Sequence, residues 1–183
     1  MFSKLLVLIG IACMGAYGFS TFQASLHQAA LQEELYQPLR AKTPPVEAAE
    51  PAEPAQEKTP QEGDLFGRLE IPRLNMSVMV MEGDQDETLR LGAGHIPGTP
   101  MAIAGHRDSF FRPLKDIKVS DTIRFTTLEG TTEYHVTSAK IVGPNDTYVL
   151  ENHSADTMTL VTCYPFQYIG PAPKRFIVEA TKN

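Results

Sequence analysis

The chain has 183 residues, 42% hydrophobic and 21% charged, a globular balance with room for one ordinary domain plus accessory segments. Its net charge of −6, with no basic run, argues against nucleic acid as a partner. With only Cys13 and Cys163 there are too few cysteines for a disulfide framework.

The N-terminus opens "MFSKLLVLIGIACMGAYGFSTF", and after Lys4 no formal charge appears until Glu33. Its most apolar part, Leu5 to Phe22, spans about 27 Å as a helix, against a hydrocarbon core of roughly 30 Å. Lys4 on the short leading side predicts a cytoplasmic N-terminus and an extracytoplasmic remainder. A signal peptide cleaved near "FQAS" is the competing reading. Helical-looking sequence continues unbroken to Tyr36 and favours an uncleaved anchor. A lipoprotein signal through Cys13 fits poorly, because Gly10 stands where leucine is wanted and the apolar run continues past the cysteine. Residues 1–40 are thus expected to be a transmembrane signal-anchor helix with a juxtamembrane extension. Residues 41–62, "AKTPPVEAAEPAEPAQEKTPQE", cannot bury a core and read as an extended spacer or a plain disordered connector.

From Gly63 to the C-terminus the pattern changes to short apolar or alternating runs separated by turn residues. "LFGRLEIP" and "MSVMVME" predict the first two strands, and "DETLRLG" one short helix with Asp86 as its N-cap. "MAIAGH" is an apolar strand entering a loop. "TIRFTTLEG" and "TEYHVTSAKIVG" form a hairpin turning around "LEGT". "TYVL", "TMTLVTC" and "KRFIVEA" supply three more strands. Eight short strands, one or two short helices and no βαβ rhythm predict an all-β sandwich or closed barrel of residues 63–183.

Cys163 ends the strand "TLVTC", where a lone cysteine reads equally as a small buried hydrophobe and as a reactive thiol. A cysteine nucleophile needs a base or ion-pair partner and a group that stabilises the oxyanion. Four histidines lie in the domain. His135 sits in the alternating "EYHVT" and reads as a barrel-wall residue, and His153 lies in a polar loop. His95, in the turn-rich "GAGHIPGTP", reads as bonding local backbone. His106 ends "MAIAGH" at a loop opening, placed like Cys163. Zinc held by His95, His106 and Cys163 matches no common spacing. Nothing in the chain implies a metal or a cofactor, and there is no phosphate loop or dinucleotide fingerprint.

"AIAGHRDSFFRPL", "TLVTCYPF" and "APKRFIVEA" resemble the sortases, membrane-anchored cysteine transpeptidases of bacterial surfaces. "GDLFGRLEIPRL" is similar to the family's opening strand, and the extended "TCYPF" to "APKRFIV" pattern is most similar to class D sortases and the single-sortase type of Gram-negative bacteria. Between "HIPGT" and "MAIAGH" only Pro100 is left of a stretch that many relatives carry longer. The resemblance implies an eight-stranded sortase-type β-barrel with His106, Cys163 and Arg175 as catalytic residues.

It also implies the reaction. Cys163 attacks a C-terminal sorting signal of the LPxTG type after its threonine and leaves a thioacyl-enzyme. His106 protonates the leaving amine and then helps to deprotonate an acceptor amine, from a cell-wall peptide or a protein lysine. Arg175 bonds the substrate backbone or the oxyanion. Lys174 and Arg107, each one residue out of phase, are expected to be solvated surface cations. "MSVMVM" and "YPF" are either groove lining or barrel core. Two other readings stand beside this one: an exported cysteine peptidase hydrolysing the same signal, and an inactive barrel that binds surface-protein tails. An L,D-transpeptidase-like enzyme would carry histidine two residues before the cysteine, where this chain has Val161.

Overall fold

The computed structural model describes residues 2–41, 60–150, 156–168 and 170–182, with side chains of the first helix at 14–15, 18–19 and 22–37. Eight strands form the closed barrel: β1 (Leu65–Ile71), β2 (Met76–Glu82), β3 (Ala93–His95), β4 (Ala102–Ala104), β5 (Thr122–Thr126), β6 (Thr131–Val142), β7 (Thr157–Tyr164) and β8 (Lys174–Lys182). Their order around the wall is β1-β2-β3-β4-β7-β8-β6-β5. The pairs β2–β3 and β4–β7 are parallel and the others antiparallel. Alternate side chains point inward. Leu69 and Ile71 of β1, Val78 and Val80 of β2, Ile103 of β4, Met158 and Leu160 of β7 and Val178 of β8 meet there with Phe111 and Phe125.

Eight strands were expected and eight occur, but one is exchanged. "TYVL" is a 3-10 turn, Thr147–Leu150, with Val149 buried. It has no strand edge to join, because β6 and β7 are already paired on both sides in a closed wall. The eighth strand is instead β3, three residues in the stretch that reads as turn-rich, held between β2 and β4. The short helix α2 (Asp86–Leu91) forms as expected, but Asp86 is its first helical residue and Gln85 its N-cap, without a side-chain cap bond. Asp86 and Glu87 act there as first-turn acids at the positive end of the helix dipole.

His95 is buried on the inner side of the barrel, its ring stacked on Phe66 at 4.1 Å. Nδ1 lies 2.8 Å from Glu82 Oε2 and Nε2 3.0 Å from the Thr99 carbonyl, so its role is local bonding, as read. His135 lies in the wall, in register with Thr122 and Thr181. His153 lies outside the described residues, as do residues 42–59 of the spacer.

The N-terminal helix α1 (Phe2–Ala41) does more than lead up to the barrel. Leu31 and Leu35, four apart and so on one helix face, pack on Met79 and Met81, the outward side chains of β2. "MSVMVM" is therefore divided between the core and the α1 contact, and Ser77, Val78 and Met79 border a cleft against α1 with Gln28 and Phe110. Gln28 completes the joint. Its Nε2 donates to the Leu91 carbonyl at 2.7 Å, and its Oε1 accepts from the Met79 N–H at 2.6 Å. The close approach requires Gly92, where a Cβ would stand 2.6 Å from Gln28 Nε2. Tyr36 meets Arg68, whose guanidinium also lies over its ring, 5.3 Å from the centroid.

Leu35→Ala should cost about 2–5 kcal/mol of this docking, the range for emptying a fully buried leucine site. Hydrogen exchange reads it directly, because the Met79 N–H held by Gln28 should lose protection while amides between β7 and β8 keep theirs. Unchanged exchange at Met79 would show that the contact is incidental. Among the described residues no helix is long and apolar enough to cross a membrane. The expected span Leu5–Phe22 falls within α1, and most of its side chains lie outside the described residues.

One ion pair pins the lower loops. Asp121, nearly buried, takes both Nε and Nη2 of Arg73, the latter at 2.6 Å, and the Lys118 N–H at 2.8 Å. The Arg73 hydrogen bond, opposed by burial, holds the Asp121 carboxyl below its usual range. A depressed carboxylate contributes stability above its unfolded pKa and loses it as pH falls through the folded one. Asp121→Asn should therefore lower stability near neutral pH by on the order of 1 kcal/mol, given a partly exposed partner. The gap from wild type should close in melts taken well below pH 4. A gap that persists in acid would assign the effect to packing instead.

Candidate active site

Strand β7 ends in Thr162, Cys163 and Tyr164, and β8 begins with Lys174 and Arg175. The β7–β8 ladder sets Cys163 directly opposite Arg175. Residues so paired share a face, with Cβ atoms about 4.5–5.5 Å apart. Met158 and Leu160 of β7 and Val178 and Ala180 of β8 point into the core. The alternate set, Val161 and Cys163 with Arg175 and Ile177, therefore lies on the outer face.

His106 reaches the same face from β4. The parallel β4–β7 register ends at Ala104 and Val161. Two bonds carry it further: the Gly105 N–H donates to the Val161 carbonyl at 3.1 Å, and the buried Thr162 Oγ1 donates to the Gly105 carbonyl at 2.7 Å. The next residue, His106, then stands abreast of Cys163. Ile103 is in the core and Gly105 faces buried Phe111, so alternation turns His106 outward, toward the side of Cys163. A Cβ on Gly105 would lie 2.7 Å from the Phe111 ring, so only glycine lets this turn pass so close to the core. His106, Cys163 and Arg175 are all partly exposed.

Residues 143–150, which follow β6, fold over this outer face. Val142, Val149, Leu150, Val161 and Ile177, with Arg175 at one side, line a cavity of about 140 Å³. It begins two residues from Cys163 along the same face of β7. The Arg175 guanidinium bends toward its own loop, with Nη1 donating to the carbonyls of Ala172 at 3.3 Å and Lys174 at 3.1 Å. Among the described residues its Nε and Nη2 have no hydrogen-bond partner. Lys174 is exposed and out of phase with Arg175, as expected.

Other expectations change. "YPF" is mostly rim packing: Phe166 and Phe176 rest on the core and meet edge to face, with ring centres 5.3 Å apart, and Tyr164 joins them. Arg107 is not a solvated surface cation, because it binds carbonyls of the β7–β8 loop. His95 points inward with both ring nitrogens engaged, on the other side of the wall from His106. Among the described residues no group of three or more His, Cys, Asp or Glu side chains is placed to hold a metal ion. Sequence reasoning missed Thr162 and Gly105 as the bonds between β4 and β7. The signal available was the residue immediately before each of His106 and Cys163, which alternation sends inward.

A family model of the sortase domain matches residues 69–183. The chain belongs to the sortase family. Its sortase domain is class D-like. It is 34% identical to Sortase D of Bacillus subtilis over 127 residues, 65% of this chain and 64% of that protein. It is 28% identical to Sortase A of Bacillus anthracis over 124 residues, 62% of this chain and 58% of that one. This sortase thus spans under two thirds of the length of these curated relatives. Among solved structures, the Clostridium perfringens Sortase D5 transpeptidase is 30% identical with a TM-score of 0.60, over 67% of this chain and 81% of that one.

Proposed function

We propose that this sortase is a membrane-anchored cysteine transpeptidase, with Cys163 as nucleophile, His106 as acid and base, and Arg175 as electrostatic stabiliser. The observation that carries the reading is the register of Cys163 opposite Arg175, with His106 abreast on the same outer face. Cys163 Sγ, as thiolate, attacks the threonine's own carbonyl carbon in an LPxTG-like signal. The electron pair of that carbonyl moves to oxygen, where free donors of Arg175 can meet it. When the C–N bond breaks, protonated His106 gives its proton to the leaving amine, and a thioester remains on Cys163. An acceptor amine adds to the thioester, neutral His106 takes its proton, and the thiolate leaves as the new amide forms. The apolar cavity beside Val161 and Ile177 suits one aliphatic side chain of the signal.

Anchoring is part of the proposal. The run Leu5–Phe22 behind Lys4 supports an N-terminal span with the barrel on the extracytoplasmic side. Met14, Phe19 and Phe22, among its described side chains, are exposed, as a lipid-facing helix would have them.

The test is the product made by the full chain in detergent from an LPxTG-type peptide, with and without a glycine-peptide amine. Amide formed at the expense of acid when amine is added supports a transpeptidase. Acid alone in both cases favours the peptidase, and peptide bound without any conversion favours the inactive tail-binding barrel.

A further inference from the structure

Arg107 follows His106 directly. Its Nη2 donates to the carbonyls of Tyr168 at 2.8 Å and Gly170 at 3.0 Å, and its guanidinium lies 5.7 Å from the centre of the Tyr168 ring. Nη1 is buried, with no hydrogen-bond partner among the described residues. Tyr168 and Gly170 belong to the loop between β7 and β8, the segment that joins Cys163 to Arg175.

We propose that Arg107 is a positioning residue that clamps the histidine-bearing turn to the loop between the nucleophile and Arg175, and so sets the His106 imidazole against Cys163. The inference rests on the reading of His106 and Cys163 as acid–base and nucleophile.

The ladder of β7 and β8 holds Cys163 against Arg175 through paired backbone. No such ladder holds His106, because strand pairing of β4 with β7 stops at Ala104. Among the described residues the His106 imidazole has no hydrogen-bond partner, so its direction comes from its backbone. That backbone is held on one side by the Gly105 bonds to β7 and at its carbonyl by the N–H groups of Phe111 at 3.1 Å and Ser109 at 3.4 Å. The Arg107 clamp adds a side-chain restraint immediately after the histidine and ties its turn to the loop between Cys163 and Arg175. Arginine suits the task chemically. One nitrogen with two N–H groups serves two carbonyls, while the flat guanidinium lies near the tyrosine ring, an arrangement the compact ammonium of lysine does not reproduce.

The experiment compares the full-length wild type with Arg107→Ala and Arg107→Lys. Acylation by an LPxTG-type peptide and the pH dependence of Cys163 alkylation by iodoacetamide are measured, alongside thermal melting. A misplaced acid–base group should lower kcat by about 10–10² fold with KM changed far less, the scale of a small displacement near the chemistry. The alkylation profile should shift along the pH axis in Arg107→Ala, because the thiolate population depends on where the imidazole stands. Arg107→Lys should recover only a minor part of either effect. An Arg107→Ala enzyme with near-normal kcat and a superimposable alkylation profile would overturn the proposal. So would a loss of rate that follows the melting temperature while the alkylation profile of the folded fraction stays put, since that describes a merely structural residue. If the wild type itself never acylates, the reading of the catalytic set fails. An alkylation profile that still shifts would then keep the clamp alone.

Discussion

Cys163→Ala is expected to end turnover of a sorting-signal peptide and to remove the thioacyl adduct from the protein. Loss of a catalytic nucleophile has cost on the order of 10⁶ in kcat where it has been measured, so residual conversion should approach background. The fold should survive. Cys163 is partly exposed on the outer face, and the inward neighbours Leu160 and Thr162 keep their packing and the Thr162 bond to Gly105. Melting should therefore shift by no more than about 1 kcal/mol equivalent, as for substitutions away from the core. Intact-mass and peptide-mapping spectrometry of the wild type should place the acyl group on Cys163. An acyl group on another residue, or an alanine variant that still turns over, would remove the nucleophile assignment and the mechanism with it.

Arg175→Lys should be far more damaging than Lys174→Arg. Arg175 sits opposite Cys163, and its Nε and Nη2 are the donors left for an oxyanion once Nη1 has bound the loop carbonyls of Ala172 and Lys174. An ammonium group has one charged centre and cannot hold the loop and the oxyanion in the same plane. Removing a well-placed oxyanion donor costs about 10²–10³ in rate, and Arg175→Lys should fall in that range for kcat/KM on one peptide. Lys174 is exposed and out of phase, so arginine there should change little. Both variants need a melt, because β8 also supplies Val178 and Ala180 to the core. Comparable losses in the two, or a near-normal Arg175→Lys enzyme, would mean that another group stabilises the oxyanion.

Much of the barrel was legible because alternation is a local property. In "TMTLVTC" the core pair Met158 and Leu160 is two residues apart, and the same rule puts Cys163 outside. β3 was not legible. Three residues, two of them Ala and Gly, carry no period, and the strand exists only because β2 and β4 bond it from both sides. "TYVL" failed in the opposite way. Its residues favour a strand, but a closed wall offers no edge for it, so it turns instead and Val149 roofs the cavity. Arg107 was misread for a related reason. Alternation gives the direction in which a side chain leaves the backbone, not how far a long arginine reaches, and this one found carbonyls distant in sequence.

The sequence by itself determined the all-β class and marked Cys163 and His106 as candidates, each at the end of an apolar strand. Those follow from residue type and short-range period, whereas Arg175 entered only through the resemblance to the sortases. Only the tertiary structure decided that Cys163 stands opposite Arg175, that His106 comes abreast of both, and that α1 covers Met79 and Met81. Register between strands far apart in sequence is chosen by the packing of the whole core and by which edges remain unpaired, and neither quantity is carried by any local stretch.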